Sequence, residues 1–336
     1  MLGDYRARVQ RAAGVEVQAP SVMPLPAYPT HRQRAVPIPD VRGSVWELLF
    51  DLPDCELDHL VAERNSILGR HWPASSRFDY ELRFRLRLDR CRERLSRQRT
   101  LDEAQRELLE RLDEIAGAKR DTLPAVWWAV TYDSAEFEQA FSPAAALLRP
   151  GDRGAQALGA LDRLWATRAA LTPTQDGIDR APLDRALGVL AASRYGGRLL
   201  RSLAALIAEL DAASLALERA RARPLCPQQR PTPRAQVLRQ VLMRHYAARV
   251  QPYIVDVQLG GRAWLDAHAR LLSSQGVRWP AAFEQFRRLA LDDGADSLWR
   301  RWTVAQQRHV QAWQALLGAC GLMPGTTAQA PAPGAT

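Results

Sequence analysis

The chain lacks any long run of apolar residues. Its longest apolar stretches, such as the one around Leu206, are far shorter than the roughly 18 residues that cross a bilayer, which excludes a transmembrane helix in this sequence. It also lacks HExxH, Walker and GxGxxG motifs, and its four cysteines form no CxxC pair. We therefore expect no metal ion and no cofactor.

Lysine is nearly absent as well. Lys119 is the only lysine among 46 basic residues, so the net charge of +9 comes almost wholly from arginine. The densest basic run, from Arg83 to Arg99, is interrupted by Asp89 and Glu93. Nucleic-acid binders usually concentrate their charge in one stripe or tail. We expect no nucleic-acid partner, and attraction to an anionic membrane surface is at least as plausible as nucleic-acid binding.

Hydrophobic spacing predicts an all-α fold. Residues 2–13 predict a short helix, and helical patterning runs from about Ser44 to Leu322. Six prolines from Pro20 to Pro39 lack an amide donor and disfavour helix in the preceding residue, so this segment should be extended. The expected architecture is a multi-helix bundle with an extended Pro-rich N-terminal segment and long coiled-coil-like C-terminal helices.

Four regions are expected along the chain. They are an N-terminal helix with the Pro-rich segment (1–42), a first helical region (43–150), a long-helix bundle packed on it (151–323) and a disordered tail (324–336).

Two segments of the long-helix region alternate spacings of four and three, which is typical of coiled-coil packing. The first set is Leu199, Leu203, Leu206, Leu210, Ala213 and Leu217. The second set is Trp299, Trp302, Gln306, His309, Trp313, Leu316 and Cys320. The stretch from Tyr253 to Leu259 instead looks like a strand.

The first helical region has a more varied pattern. A predicted helix from Asp54 to Leu68 carries one apolar face, formed by Leu57, Leu60, Val61, Ile67 and Leu68. The next predicted helix, through Phe78 and Leu95, carries apolar stripes on two sides and should be packed on both. Thr100 and Glu103 predict a capping box, and Pro124 predicts the first residue of a short helix.

Residues 55–81 are the most distinctive stretch. Their polar cluster is Glu63, Arg64, Asn65, Ser66, Tyr80 and Glu81. Asn65 and Ser66 are poor interior helix formers, because their side chains compete for backbone hydrogen bonds. We expect the cluster to tie the following loop to the helix pair, with Arg64 in an ion pair with Glu63 or Glu81. A ligand or partner site is the alternative.

Serine, histidine and acidic residues in the same stretch also suggest a hydrolase. His59 and Ser66 lie seven residues apart, roughly 10 Å along a helix axis, so they cannot pair directly. A site at Glu63, Ser66 and His71 therefore remains only as an alternative.

Ten tryptophans are present, and most should lie in the core. Trp127 and Trp128 are adjacent, so on a helix they point about 100° apart and are hard to bury together. They are the residues of a candidate groove.

The run AERNSILG, followed by SSRFDYE and Cys91, resembles an uncharacterised family of proteobacterial lipoproteins, domain of unknown function 3080. The Pro-rich PLPAYPTHRQRAVPIPDVRG and the stretch PAVWWAVTYDSAEF are similar to the same family, most specifically within residues 20–141. The resemblance implies a lipoprotein leader ahead of residues 2–13, where this sequence has Met1. It therefore implies a periplasmic, outer-membrane-anchored protein, or a cytoplasmic one if the leader is absent.

The resemblance also implies a disulfide between Cys55 and Cys91, because the periplasm permits oxidation. Pairing of Cys226 with Cys320 stays open. The family has no assigned activity, so we expect a non-enzymatic cell-envelope protein acting in binding or assembly. Its partner would be an envelope protein or the membrane surface, and a periplasmic hydrolase is the alternative.

Overall fold

Every regular element of the computed structural model is helical within the described residues, which are 1–18, 21, 23–38, 55–169, 171, 176–223 and 225–323. The α-helices are α1 (Leu2–Ala13), α2 (His31–Arg34), α3 (Leu57–Asn65), α4 (Ile67–Arg70), α5 (Ala74–Ser96), α6 (Glu103–Val130), α7 (Ala135–Ala140), α8 (Ala155–Ala169), α9 (Arg180–Ser193), α10 (Tyr195–Arg221), α11 (Pro233–Val241), α12 (Gln251–Ser273), α13 (Ala281–Ala290) and α14 (Leu298–Ala319). A π-helical stretch, Leu242–Val250, joins α11 to α12. The all-α prediction is confirmed.

The two long C-terminal segments form helices that pack along each other, as their spacing predicted. All six residues of the α10 set, from Leu199 to Leu217, are fully buried. In α14 the buried stripe passes through Ala305, whereas Gln306 is partly exposed. This small shift follows from the 3.6-residue period of a straight helix, which drifts against a strict heptad.

Two hydrophobic cores meet at α5. Phe78 and Leu82 belong to the main core, which draws residues from α1 to α14. Tyr80, Phe84 and other residues of the opposite stripe belong to a smaller core shared with α3 and α6. The predicted central helix packed on two sides is therefore confirmed.

The predicted helix from Asp54 to Leu68 is wrong at its last three residues. Helix α3 ends at Asn65, because Ser66 adopts non-helical backbone angles (φ −59°, ψ 161°) and becomes the N-cap of α4. Ile67 and Leu68 are 81% and 80% exposed, so they do not join the apolar face that buries Leu57, Leu60 and Val61.

The start of α6 and the role of Pro124 also differ from prediction. Asp102, not Thr100, caps the helix and shares a capping box with Gln105. Pro124 lies inside α6. An interior proline costs about 3 kcal/mol, and the near-complete burial of the flanking residues from Leu123 to Trp128 offsets that cost.

The predicted strand from Tyr253 to Leu259 is wrong, because these residues lie within α12. Buried positions Tyr253, Ile254 and Val257 follow helical spacing and continue into Gly260 and Gly261. A Cβ at Gly261 would collide with the Trp299 ring, so the glycines permit close helix packing. The expectations for residues 44–54 and for the tail 324–336 lie outside the described residues.

The Pro-rich segment packs on the main core and is anchored by two residues that lie between its prolines. The Tyr28 hydroxyl donates to the Tyr132 carbonyl at 2.6 Å. Arg34 is 1% exposed and donates to Glu138 at 2.7 Å, while its own carbonyl accepts from the Trp128 indole at 2.8 Å. Residues 23–30 contain no helix, as their prolines predicted. The expectation of an extended chain from Pro20 to Pro39 is wrong at His31–Arg34, because a capping box between Thr30 and Gln33 starts the short helix α2 there.

All four cysteines are paired. The Cys55–Cys91 bridge implied by the family resemblance is present and joins the start of α3 to α5, across 36 residues. Cys226–Cys320 joins the loop before α11 to the end of α14, across 94 residues.

Replacing Cys226 and Cys320 by alanine should lower the free energy of unfolding by roughly 5 kcal/mol, and replacing Cys55 and Cys91 by roughly 4 kcal/mol. The longer loop loses more because the closure entropy of the unfolded chain grows with the logarithm of loop length. Urea unfolding followed by circular dichroism measures both losses. A larger loss for the shorter loop would contradict this account.

Candidate functional site

Ser66 lies at the break between α3 and α4. Its hydroxyl donates to the Glu63 carbonyl at 2.8 Å and accepts from the Gly69 amide at 3.0 Å. Arg64 donates to the Gly69 carbonyl, and a Cβ at Gly69 would collide with the carbonyls of Glu63 and Arg64. The Ser66 hydroxyl is therefore committed to the backbone of this turn.

The ion pairs of this region differ from prediction. The Glu63 carboxylate accepts from Arg83 at 3.1 Å rather than from Arg64, whose guanidinium is turned toward the α3–α4 turn. Arg83 also contacts Asp79 at 3.0 Å, and Asp79 accepts from the Ile178 amide at 2.8 Å. Sequence reasoning did not identify Arg83 as the partner of Glu63, because the two residues lie 20 positions apart.

Glu81 pairs with the only lysine of the chain. Lys119 Nζ donates to Glu81 at 2.8 Å, and the two residues are 9% and 5% exposed. The ammonium lies 4.8 Å from the Phe84 ring centroid and 5.6 Å from that of Tyr80. Burial raises the pKa of the Tyr80 phenol. The solitary Lys119 in an arginine-rich chain was the sequence signal for this site.

The residues of the hydrolase alternative are not assembled for catalysis. His59, Ser66 and His71 are all exposed. In the part of the chain that the structure describes, His71 forms no side-chain hydrogen bond with Glu63 or Ser66, and Ser66 contacts the Glu63 carbonyl rather than its carboxylate. Asn65 is partly exposed beside them.

The groove prediction for Trp127 and Trp128 is wrong, because both side chains are fully buried. Trp127 packs on Phe78 of α5, with ring centroids 5.0 Å apart. Trp128 packs on Phe283 of α13 at 4.8 Å. Their side chains do diverge, but α6 is covered on both sides.

A buried serine–histidine pair that sequence reasoning missed lies between α10 and α14. His309 Nδ1 is 3.0 Å from Ser214 Oγ, and His309 Nε2 is 2.7 Å from the Tyr5 hydroxyl. The Trp313 indole donates to Tyr5 at 2.8 Å, and Ser214 donates to the Leu210 carbonyl at 2.7 Å. Ser214 and His309 lie 95 residues apart, so no local motif signalled the pair.

The donors in this network specify one tautomer. Because Ser214 donates to a carbonyl, its oxygen accepts from a proton on His309 Nδ1, and Nε2 then accepts from Tyr5. Burial lowers the pKa of His309 to about 4, so the imidazole is neutral. Ser214 and His309 are 0% exposed and Tyr5 is 1% exposed. The network thus joins α1 to α10 and α14 in the closed interior.

An open apolar cavity lies between the Pro-rich segment and α10, and we refer to it as the α10 cavity. Its volume is about 530 Å³, and it is lined by Ser21, Met23, Pro24, Leu25, Pro26, Ala27, Pro143, Leu147, Arg201, Ala204, Ala205, Ala208 and Glu209. Alanine at three positions of this α10 face contributes little side-chain volume beside the Pro-rich segment.

Two charged residues stand along the α10 cavity. Arg201 and Glu209 are eight residues apart on α10, which is roughly 12 Å along the axis. Glu209 accepts from Arg6 of α1 at 2.7 Å and is neutralised there. One guanidinium N–H of Arg201 donates to the Pro143 carbonyl at 2.9 Å, and the Arg201 side chain is exposed.

Within the described ranges, no group of three or more His, Cys, Asp or Glu side chains is placed to hold a metal ion. None of the helices described there combines the length and the apolar character that crossing a membrane requires.

Comparison with known proteins decides the family. The family model described as "Protein of unknown function (DUF3080)" matches residues 2–324. The chain belongs to this family. No curated protein and no solved structure matches it. The DUF3080 match runs from α1 past α14, so it includes both disulfides, the Lys119–Glu81 pair and both walls of the α10 cavity.

Replacing Lys119 by methionine should lower the free energy of unfolding by roughly 3 to 5 kcal/mol, because Glu81 then stays buried without a cation. Adding Glu81→Leu should restore most of that loss, because an apolar pair removes both desolvation penalties. Chemical denaturation of wild type, both single variants and the double variant measures the coupling. A double variant no more stable than Lys119→Met would contradict this account.

The stability of the DUF3080 member should fall as the pH drops from about 6.5 to about 4. In the unfolded state the His309 imidazole has a pKa near 6.5, whereas burial in the folded state lowers the pKa of His309 to about 4. Because the unfolded chain binds this proton more readily, protonation of His309 favours unfolding by roughly 3 kcal/mol. Urea unfolding across this range measures the slope.

The His309→Gln variant provides the comparison for that slope. It should show a shallower dependence on pH, while the exposed His71→Gln variant should keep the wild-type slope. Equal slopes in wild type and His309→Gln would contradict the assignment.

Proposed function

We propose that this DUF3080 member is a non-enzymatic cell-envelope protein that acts in binding or assembly in the periplasm. The observation that carries the proposal is the pairing of all four cysteines into two long-range disulfides. Structural disulfides form and persist in oxidising compartments and are rare in the cytosol. The lipoprotein leader that the family resemblance of residues 20–141 implies supports anchoring at the outer membrane.

The non-enzymatic part of the proposal is supported by two serine hydroxyls that are already hydrogen-bonded within the protein. Ser66 is engaged by the turn around Gly69, and Ser214 is enclosed with His309. A nucleophile must meet its substrate and a base at the same time. The hydrolase alternative at Glu63, Ser66 and His71 therefore has less support than binding.

The exposed tip of α4 suits a membrane surface as partner. Ile67 and Leu68 are 81% and 80% exposed, and Arg70 follows them. Apolar side chains flanked by cations combine insertion between headgroups with attraction to anionic lipids.

Thiol trapping in intact cells tests the compartment. A membrane-impermeant maleimide is added before and after a reductant, cells are fractionated, and labelling of the four cysteines is counted by mass spectrometry. The proposal predicts labelling only after reduction, with the protein in the envelope fraction. A protein in the cytosolic fraction that stays unlabelled even after reduction would overturn the proposal. A cytosolic protein with many exposed cysteines serves as the leakage control.

A further inference from the structure

We propose that the α10 cavity binds a fatty acid, with the acyl chain along Ala204, Ala205 and Ala208 and the carboxylate on Arg201. The inference deepens the proposed binding role and depends on it, but it has a separate readout in the purified protein.

The size and lining of the cavity match an apolar chain. A volume of about 530 Å³ falls within the roughly 300–1,000 Å³ range of small-molecule sites. On the Pro-rich side the wall includes Pro24 and Pro26, which carry no amide donor, together with Met23 and Leu25. The wall therefore places few polar groups toward the ligand.

Both walls are held in place without a ligand. Tyr28, just beyond the lining residues, donates to the Tyr132 carbonyl and stacks on Phe141 with centroids 5.1 Å apart. The opposite wall is one face of α10, whose Leu199–Leu217 stripe is buried against the bundle on its other side. A preformed cavity needs little ordering on binding, which favours affinity.

Charge complementarity selects an acid over a neutral ligand. Glu209 is neutralised by Arg6, whereas Arg201 has no carboxylate partner among the described residues. Its guanidinium carries five N–H donors, and the Pro143 carbonyl accepts from only one nitrogen. The remaining donors suit a carboxylate, which arginine binds with paired hydrogen bonds. The exposed Pro143 and Leu147 place this cation at the open side.

The apolar lining of the α10 cavity predicts that the affinity for a fatty acid depends on the length of its acyl chain. Each buried methylene should raise the affinity about fourfold. The increase should continue until the apolar space is filled and then stop.

Isothermal titration calorimetry of the full, disulfide-bonded chain tests the proposal with sodium octanoate, decanoate, dodecanoate and tetradecanoate below their micelle concentrations. Dodecanol is the matched neutral ligand. We expect saturable one-to-one binding, rising affinity along the acid series, and tighter binding of dodecanoate than of dodecanol. Absence of saturable binding, or equal affinity for acid and alcohol, would overturn the fatty-acid assignment.

Variants locate the ligand. Arg201→Gln should weaken dodecanoate roughly ten- to a hundredfold, as loss of a charged hydrogen bond predicts, and leave dodecanol unchanged. Ala205→Leu and Ala208→Leu should each weaken both ligands by filling the space. Matched controls are Arg185→Gln and Ala192→Leu, which change exposed side chains of α9 away from the cavity.

Circular dichroism and thermal unfolding verify that each variant is folded, and Ala205→Leu and Ala208→Leu serve as independent tests of the same space. Unchanged dodecanoate binding in Arg201→Gln and in both leucine variants would show that the acid binds elsewhere. That result would leave the compartment untouched, because thiol trapping reports on the disulfides and not on the ligand.

Discussion

Helix α10 buries a leucine face against α14 and turns an alanine face toward the Pro-rich segment. The packing of the other elements depends on these two faces. The leucine face supplies tight apolar packing, which is roughly proportional to the area removed from water. The alanine face offers little side-chain volume, so the chain that crosses it leaves a cavity. One helix thus provides both the centre of the core and a wall of the candidate site.

Buried polar groups then define how the other helices attach. Tyr5 and His309 join α1 to α14, and Lys119 and Glu81 join α6 to α5. In both networks the buried polar groups have hydrogen-bond partners. Removing one partner leaves the other buried and unpaired, which destabilises the folded state. Such contacts add specificity to the leucine and aromatic packing around them. The two disulfides add covalent constraints in the smaller core and at the end of α14.

The candidate site follows from the same architecture. The polar stretch around Ser66 holds a turn, and the hydroxyl and imidazole groups in the core are enclosed. A concave, partly open surface lies instead at the α10 cavity, beside Arg201, for which the described residues provide no carboxylate partner. The proposed binding role in an oxidising compartment would account for both the disulfides and this apolar space.

Much of the fold was determined by the sequence alone, because periodic apolar spacing such as Leu199 to Leu217 reports directly on which face of a helix is buried. The all-α class, α1, the two-sided α5 and the long C-terminal pair were all predictable on this basis. Local signals failed where distant packing outweighs them, as at Pro124 and Tyr253. Only the tertiary structure decided the partners of Glu81 and His309, the burial of Trp127 and Trp128, and the α10 cavity. Each of these features depends on contacts between residues that are far apart in sequence, and no local pattern connects such residues.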